Sequence, residues 1–341
     1  MNKNTKTALI VALSIFGAGV LIWLCVSLSV GFNYSKLTVR SDSKTLGAEA
    51  DSNFKKEHID KDFDENGQKL VFNLSSADIV VEPSSDGKIH LSYDNTEETR
   101  FELDEAKNAI TLTQRSKNDS FFGFVSLGSS EKLSVRLSLP ADREGKLDIG
   151  SASGDVSISD ISEKADMRLS SISGDVNAKH CAAETFGAST TSGELEVTSI
   201  EANSVDLNSV SGGIKVSEIG RSTPVSIAST SGEVYAENIE ANDFTVSTIS
   251  GEVSLTDVSG QKAGISTTSG AVTLSKADFR ELKYTTISGD IRGTVSGSAE
   301  DYTVYADTVS GGNSLSGNRE RGERTLDLNS TSGSFDIRFE K

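Results

Sequence analysis

Leu147-Asp148-Ile149-Gly150-Ser151-Ala152-Ser153-Gly154-Asp155-Val156 is the stretch on which the fold turns. Apolar and polar residues alternate on both sides of a Ser-Gly dipeptide, the pattern of two short strands joined by a sharp corner. Ser-Gly then returns at a regular spacing along the rest of the chain, its serine at 153, 173, 192, 211, 231, 250, 269, 288, 310 and 332. The first seven intervals are 19 or 20 residues and the last two are 22. A period this regular marks a repeat architecture.

Aligned on the serine, the copies are built alike. Six and four residues before it stand apolar side chains, as in Met167 and Leu169, Val205 and Leu207, Phe244 and Val246. Two before it is always Ser or Thr, from Ser151 through Thr190 and Thr248 to Ser330. Three and five after it come Val156 and Ile158, Leu195 and Val197, Val253 and Leu255, and eight after it Ile161, Ile200, Ile219, Ile239 and Val258. So short a strand pair cannot bury its apolar face alone, but identical pairs stacked in register give one another a continuous core. A propeller blade needs roughly 40–50 residues, so the expected fold is all-β, a parallel β-helix or β-solenoid of 19–20 residues per coil. The glycine supplies the positive φ or the close packing that a sharp corner needs. The Ser/Thr two residues before the serine and the serine itself share the parity of the core, and their hydroxyls are expected to form ladders along the inside of the corner.

Composition agrees with a thin, repeated core. Only 35% of the residues are hydrophobic and 6% aromatic, and there are three prolines in 341 residues. A net charge of −17 argues against nucleic-acid binding, which needs a basic footprint. Cys25 and Cys181 stand in unlike contexts and make no disulfide framework.

Ala8 to Val30 is an uncharged, mostly apolar run of 23 residues, preceded by Lys3 and Lys6. It is long enough to cross a bilayer and too long for a cleaved signal peptide. The positive-inside rule keeps residues 1–7 cytoplasmic and places the rest outside. A lipoprotein anchor at Cys25 is disfavoured by Trp23 and Leu24, which stand where small residues are needed. The expected organisation is a tail (1–7), a transmembrane helix (8–30), a polar juxtamembrane spacer (31–66), a β region capping the solenoid (67–146) and the Ser-Gly solenoid (147–341). Phe121-Phe122-Gly123-Phe124-Val125 is an apolar stretch in an otherwise loop-like region.

Ten Ser-Gly sites cannot all be nucleophiles, and no Gly-x-Ser-x-Gly elbow occurs. His180 adjoins Cys181, but Cys181 occupies the position of Ile161 and Ile200 and reads as a small buried hydrophobe. The residue after the glycine is acidic in six coils: Asp155, Asp175, Glu194, Glu233, Glu252 and Asp290. These read as solvated turn residues, with a weak calcium-binding ridge as the alternative. The residue before the serine faces outward by parity and is aliphatic on alternate coils: Ile172, Val210, Ile249 and Ile287, with Thr191, Thr230 and Thr268 between. This row is the expected partner-binding surface, unless the corner bends earlier and turns it inward. The only tryptophan, Trp23, lies in the membrane segment, which weakens a lectin reading. The coil lengths leave no room for the long insertions that carry catalytic groups in β-helix enzymes. No enzyme activity and no cofactor is expected.

The runs Ser171-Ile172-Ser173-Gly174-Asp175-Val176 and Thr248-Ile249-Ser250-Gly251-Glu252-Val253, with Ser75-Ser76-Ala77-Asp78-Ile79-Val80-Val81-Glu82-Pro83 upstream, resemble the bacterial putative-adhesin family, a domain of unknown function. The resemblance covers roughly residues 68–341 and is structural, so no functional residue transfers. It implies a right-handed β-helix on a bacterial envelope protein. The expected function is an adhesin-like structural or binding module, held in the cell membrane by a single pass through residues 8–30 with its C-terminal domain extracytoplasmic. Its partner would be an envelope protein or a second copy. The alternative is an accessory of envelope-stress signalling acting through a membrane partner.

Overall fold

The computed structural model describes residues 56–116, 133–220, 224–315 and 322–340. The expected membrane helix at 8–30 and the apolar stretch 121–125 lie outside the described residues. Among the described residues, no helix is long and apolar enough to cross a membrane.

The chain winds into a β-solenoid of about nine turns. Each Ser-Gly coil contributes one strand before its corner and one after, and like strands pair in parallel, with one register shift between Leu274 and Ala277. Leu147, Met167, Phe186, Val205, Val225, Phe244 and Ala263 stand one above another on the first face. Val156, Val176, Leu195, Ile214, Val234, Val253 and Val272 do so on the second. These columns are buried and form one core with the Ile161–Cys181–Ile200–Ile219–Ile239–Val258 column.

That third column falls eight residues after the serine, where strict alternation would place it at seven. The backbone explains the offset. Asp160, His180, Ser199, Glu218, Asn238, Asp257 and Lys276, seven residues after the serine in seven successive coils, all have φ between 49° and 58°. One left-handed residue turns the chain and resets the parity, so the residue at seven points out and the one at eight points in. Polar residues, Asp and Asn above all, tolerate this conformation best. Each coil therefore has two corners, one at Ser-Gly and one at the left-handed residue.

Both ends of the stack depart from chain order. The upstream strands Lys69–Leu74 and Asp78–Pro83 form a coil of their own directly on the Leu147–Ser159 coil, with Leu70 beside Leu147 and Ile79 beside Val156. Ala109–Ser116 and Ser134–Leu139, later in sequence, lie outside that coil. At the other end, Arg324–Ser330 and Phe335–Glu340 lie against the strands of the Ser288 coil, and Tyr302–Thr308 pairs on the far side of Arg324–Ser330. The region 67–146 thus continues the solenoid as well as closing it. Closure comes from antiparallel strands, Thr99–Ala106 on one face and Ile89–Asn95 on the other, which end the run of parallel edges.

The expected spacer 31–66 also needs correction, because Glu57–Phe63 is a strand antiparallel to Ile89–Asn95. Its pattern is charged rather than apolar. His58 Nδ1 lies 2.7 Å from Asp94 and His90 Nδ1 2.7 Å from Asp62 across the pair, while Ile59 and Phe63 pack on the core. The carboxylates beside the two imidazoles raise their pKa values, the hydrogen bonds to Asp94 and Asp62 being the largest causes.

One charged pair, Arg143 and Glu163, is fully buried near this end. Arg143 donates to Glu65 Oε2 at 2.7 Å and to Glu163 Oε1 at 3.0 Å, and a third bond goes to the carbonyl of Gln68. Glu163 Oε2 has no hydrogen-bond partner. Burial pushes the Glu163 carboxyl up to about 7, outweighing the opposing pull of Arg143. A carboxyl raised in the folded state favours folding most below its unfolded value near 4.5, and that contribution is lost as pH rises through about 7. Wild-type protein should therefore lose stability between pH 5 and 8, by up to about 3 kcal/mol, and Glu163→Gln should lose much less. Thermal melting of both proteins across that range measures the difference, and parallel curves would contradict it.

Candidate functional site

The Ser-Gly corner is held from within by side-chain hydroxyls. Inside it, the hydroxyls of Ser151, Ser171, Thr190, Thr248, Thr286, Thr308 and Ser330 each accept from the glycine N–H three residues on, at 2.6–3.1 Å. Ser209, Ser229 and Thr267 use the same position to donate to the glycine carbonyl. At the N-terminal end Gln114 does this work, its Oε1 accepting from the N–H groups of Ser75, Ser76 and Ala77 at 2.8–3.0 Å. The expected hydroxyl ladder is present at the position two before the serine. It satisfies backbone groups that the corner would otherwise bury unpaired.

The glycine answers to close approach, since the corner glycines have no left-handed φ. A Cβ at Gly174 would stand 2.1 Å from the carbonyl oxygen of Gly154, and one at Gly232 1.9 Å from that of Gly212. The coils touch through their glycines.

The serines of Ser-Gly, expected inside with the other hydroxyls, are instead exposed in all ten coils, because the corner shifts the alternation by one and turns the glycine inward in their place. Ile172, Val210, Ile249 and Ile287 are half-buried and belong to none of the core columns, so the row points outward. Its order follows the backbone. Successive serine N–H groups donate to the carbonyls of Ile172, Thr191, Val210, Thr230, Ile249 and Thr268 at 2.8–3.0 Å, then Ser332 donates to Ile287 at 2.9 Å and Ser310 to Thr331 at 3.1 Å. In space the row reads Ile172, Thr191, Val210, Thr230, Ile249, Thr268, Ile287, Thr331, Val309. Chain order would break the alternation of aliphatic and threonine at Val309, and the exchange of the last two coils restores it. Val309, at the open end, is 65% exposed.

A family model described as Toastrack DUF4097 matches residues 67–224 and again 220–341. The chain belongs to the Toastrack DUF4097 family. No curated protein matches it. Among solved structures, it is similar to a putative adhesin from Bacteroides fragilis at 15% identity and a TM-score of 0.39, over 70% of this chain and 98% of that one. It is also similar to a putative lipid binding protein from Parabacteroides distasonis at 15% identity and 0.36, over 83% of this chain and 97% of that one.

In this Toastrack chain the acidic residues after the glycine do not gather as a cation site. Among the described residues, no three His, Cys, Asp or Glu side chains converge as metal ligands would. The carboxylates turn instead to the neighbouring coil or to a cation. Asp155 Oδ1 accepts from the N–H of Asp175 at 2.9 Å, Asp175 Oδ1 from that of Glu194 at 2.7 Å, and Asp290 Oδ1 from that of Ser334 at 2.7 Å. Glu194 pairs with Lys215, Glu252 lies 3.8 Å from Arg292, and Glu233 accepts from the Tyr235 hydroxyl at 2.6 Å. The ridge belongs to the Toastrack scaffold, a short side chain reaching the next backbone N–H about 4.8 Å away.

Cys181 is a buried free thiol, as its column predicts, and burial pushes its pKa up to about 11. His180 is one of the left-handed residues, its Nδ1 3.3 Å from Asp160. The sequence reading missed Arg143 and Glu163, charged residues where the next two coils have Ala183 and Ala202, and the exposed Tyr235.

Proposed function

We propose that this protein is an adhesin-like binding module of the cell surface, anchored by residues 8–30, which engages a partner through the aliphatic–threonine strip at its Ser-Gly corner. The reading rests on one observation: the strip alternates without a break over nine coils, and at the open end it does so only because the last two coils are exchanged. Neither the core nor the hydroxyl ladder needs that alternation, since the strip points away from both. An uncharged row of aliphatic knobs about 10 Å apart with smaller threonines between them suits either an envelope protein or a second copy displaced by one coil. Binding rather than catalysis is favoured because the inner hydroxyls of the corner are engaged with the N–H and carbonyl groups of its glycines.

Val210→Lys with Ile249→Lys tests the reading. The double variant should melt within about 1 kcal/mol of wild type, as exposed substitutions do. It should also lose self-association in sedimentation and partner capture by the membrane-embedded full chain. Loss of folding, or unchanged association and capture, would overturn the reading.

A further inference from the structure

A second surface lies on the other side of the Ser-Gly corner, on the outward side of the second sheet. There the outward residues stand between two exposed columns, the acidic ridge after the glycine and the left-handed residues at the far corner. Four successive coils contribute the pairs Glu196 and Thr198, Lys215 and Ser217, Tyr235 and Glu237, and Ser254 and Thr256, which line an open cleft of about 420 Å³. That volume is within the range of small-ligand sites.

We propose that this cleft binds an uncharged linear saccharide lying along the stack. Tyr235 is 44% exposed, and its hydroxyl donates to Glu233 Oε2 at 2.6 Å, which fixes the tip of the ring. A fixed aromatic ring at the edge of a polar cleft is a platform for the apolar face of a sugar. Around it stand the groups that sugar hydroxyls pair with: the carboxylates of Glu196 and Glu237, and the hydroxyls of Ser217, Ser254 and Thr256. Carboxylate acceptors hold hydroxyl donors by charge-assisted bonds, stronger than neutral ones. Coils advance by about 4.8 Å, close to the length of one pyranose unit. An extended glycan would therefore present a similar hydroxyl to each successive coil, and four coils would hold three or four units.

Charge narrows the ligand. Lys215 is paired with Glu194 across the edge of the cleft, and Lys179 lies 3.2 Å from Glu196. The remaining charge of the cleft is negative, on a protein of net charge −17. Polyanions such as uronic-acid or phosphate-bearing polymers are repelled, and neutral sugars are not. The cleft shares no residue with the aliphatic–threonine strip, so either surface can fail its test without the other.

The experiment is titration calorimetry of the full chain, in a detergent without a sugar headgroup, against neutral α- and β-linked tetrasaccharides, cellotetraose and chitotetraose among them. Oligogalacturonate is the anionic control. At least one neutral tetrasaccharide should bind, and oligogalacturonate should bind more weakly than that ligand. Tyr235→Ala should weaken binding about tenfold, the worth of one aromatic contact, and Glu237→Gln should weaken it as well. Both variants should keep the wild-type melting temperature. No binding by any neutral tetrasaccharide, preference for oligogalacturonate, or full affinity in Tyr235→Ala would overturn the proposal.

Discussion

Gly232→Ala is expected to destabilise the solenoid by about 3 kcal/mol or more, although it adds a single methyl group. The new Cβ would stand 1.9 Å from the carbonyl oxygen of Gly212 and 2.6 Å from its carbonyl carbon. Neither backbone can yield without breaking ladder bonds, because Ser231 N–H is held by Val210 at 2.8 Å and Val234 N–H by Glu252 at 2.8 Å. The same substitution at Gly264 should behave in the opposite way. Its Cβ would meet nothing within 4 Å, and replacing a strand glycine by alanine gains roughly 0.5–1 kcal/mol by restricting the unfolded chain. Melting temperatures of the two variants should move in opposite directions. Equal shifts would mean that the coils do not touch through their glycines.

Leu195→Asp is the second large effect expected. Leu195 is fully buried between Val176 and Ile214 in the solenoid core. An unpaired carboxylate there costs several kcal/mol or takes up a proton. Its neighbour Glu194 is exposed, and its pair with Lys215 is a surface ion pair worth about 1 kcal/mol or less. Glu194→Ala should therefore leave denaturant unfolding almost unchanged while Leu195→Asp shifts its midpoint strongly. Similar shifts for the two would refute the in–out alternation on which every outward assignment depends.

That alternation was legible in the sequence because one signal repeats ten times. Each coil restates which positions are apolar, so the core columns and the buried Cys181 followed from register alone, while parity carried through the corner wrongly placed the Ser-Gly serines inside. Features that occur once could not be averaged in this way. Arg143 and Glu163 are charged residues that any single-sequence reading sends to the surface, and only the folded chain shows them bonded to each other and to Gln68. Glu57–Phe63 has no apolar alternation, since its cross-strand partners are His and Asp pairs. Tyr235 is one aromatic in a column of small and charged residues. The left-handed column left a trace in the third apolar contact, displaced to eight, and in the Asp and Asn at seven. The exchange of the last coils is a choice between neighbours of equal pattern. Val304 and Ala306 alternate as well as Leu326 and Leu328 do, and the two intervals of 22 residues were the one hint of irregularity.

The continuity of the strip rests on that exchange, and a cysteine pair tests it. In a chain with Cys25→Ser, Ile287→Cys with Thr331→Cys places two thiols on adjacent coils about 4.8 Å apart, inside the roughly 4.4–6.8 Å Cα range of a disulfide. Ile287→Cys with Val309→Cys places them two coils apart, near 10 Å, where no bond can form. Under mild oxidation the first pair should cross-link and the second should not, with free thiols counted after denaturation. Cross-linking of the second pair and not the first would put the coils in chain order, break the alternation, and contradict the strip as a continuous binding surface.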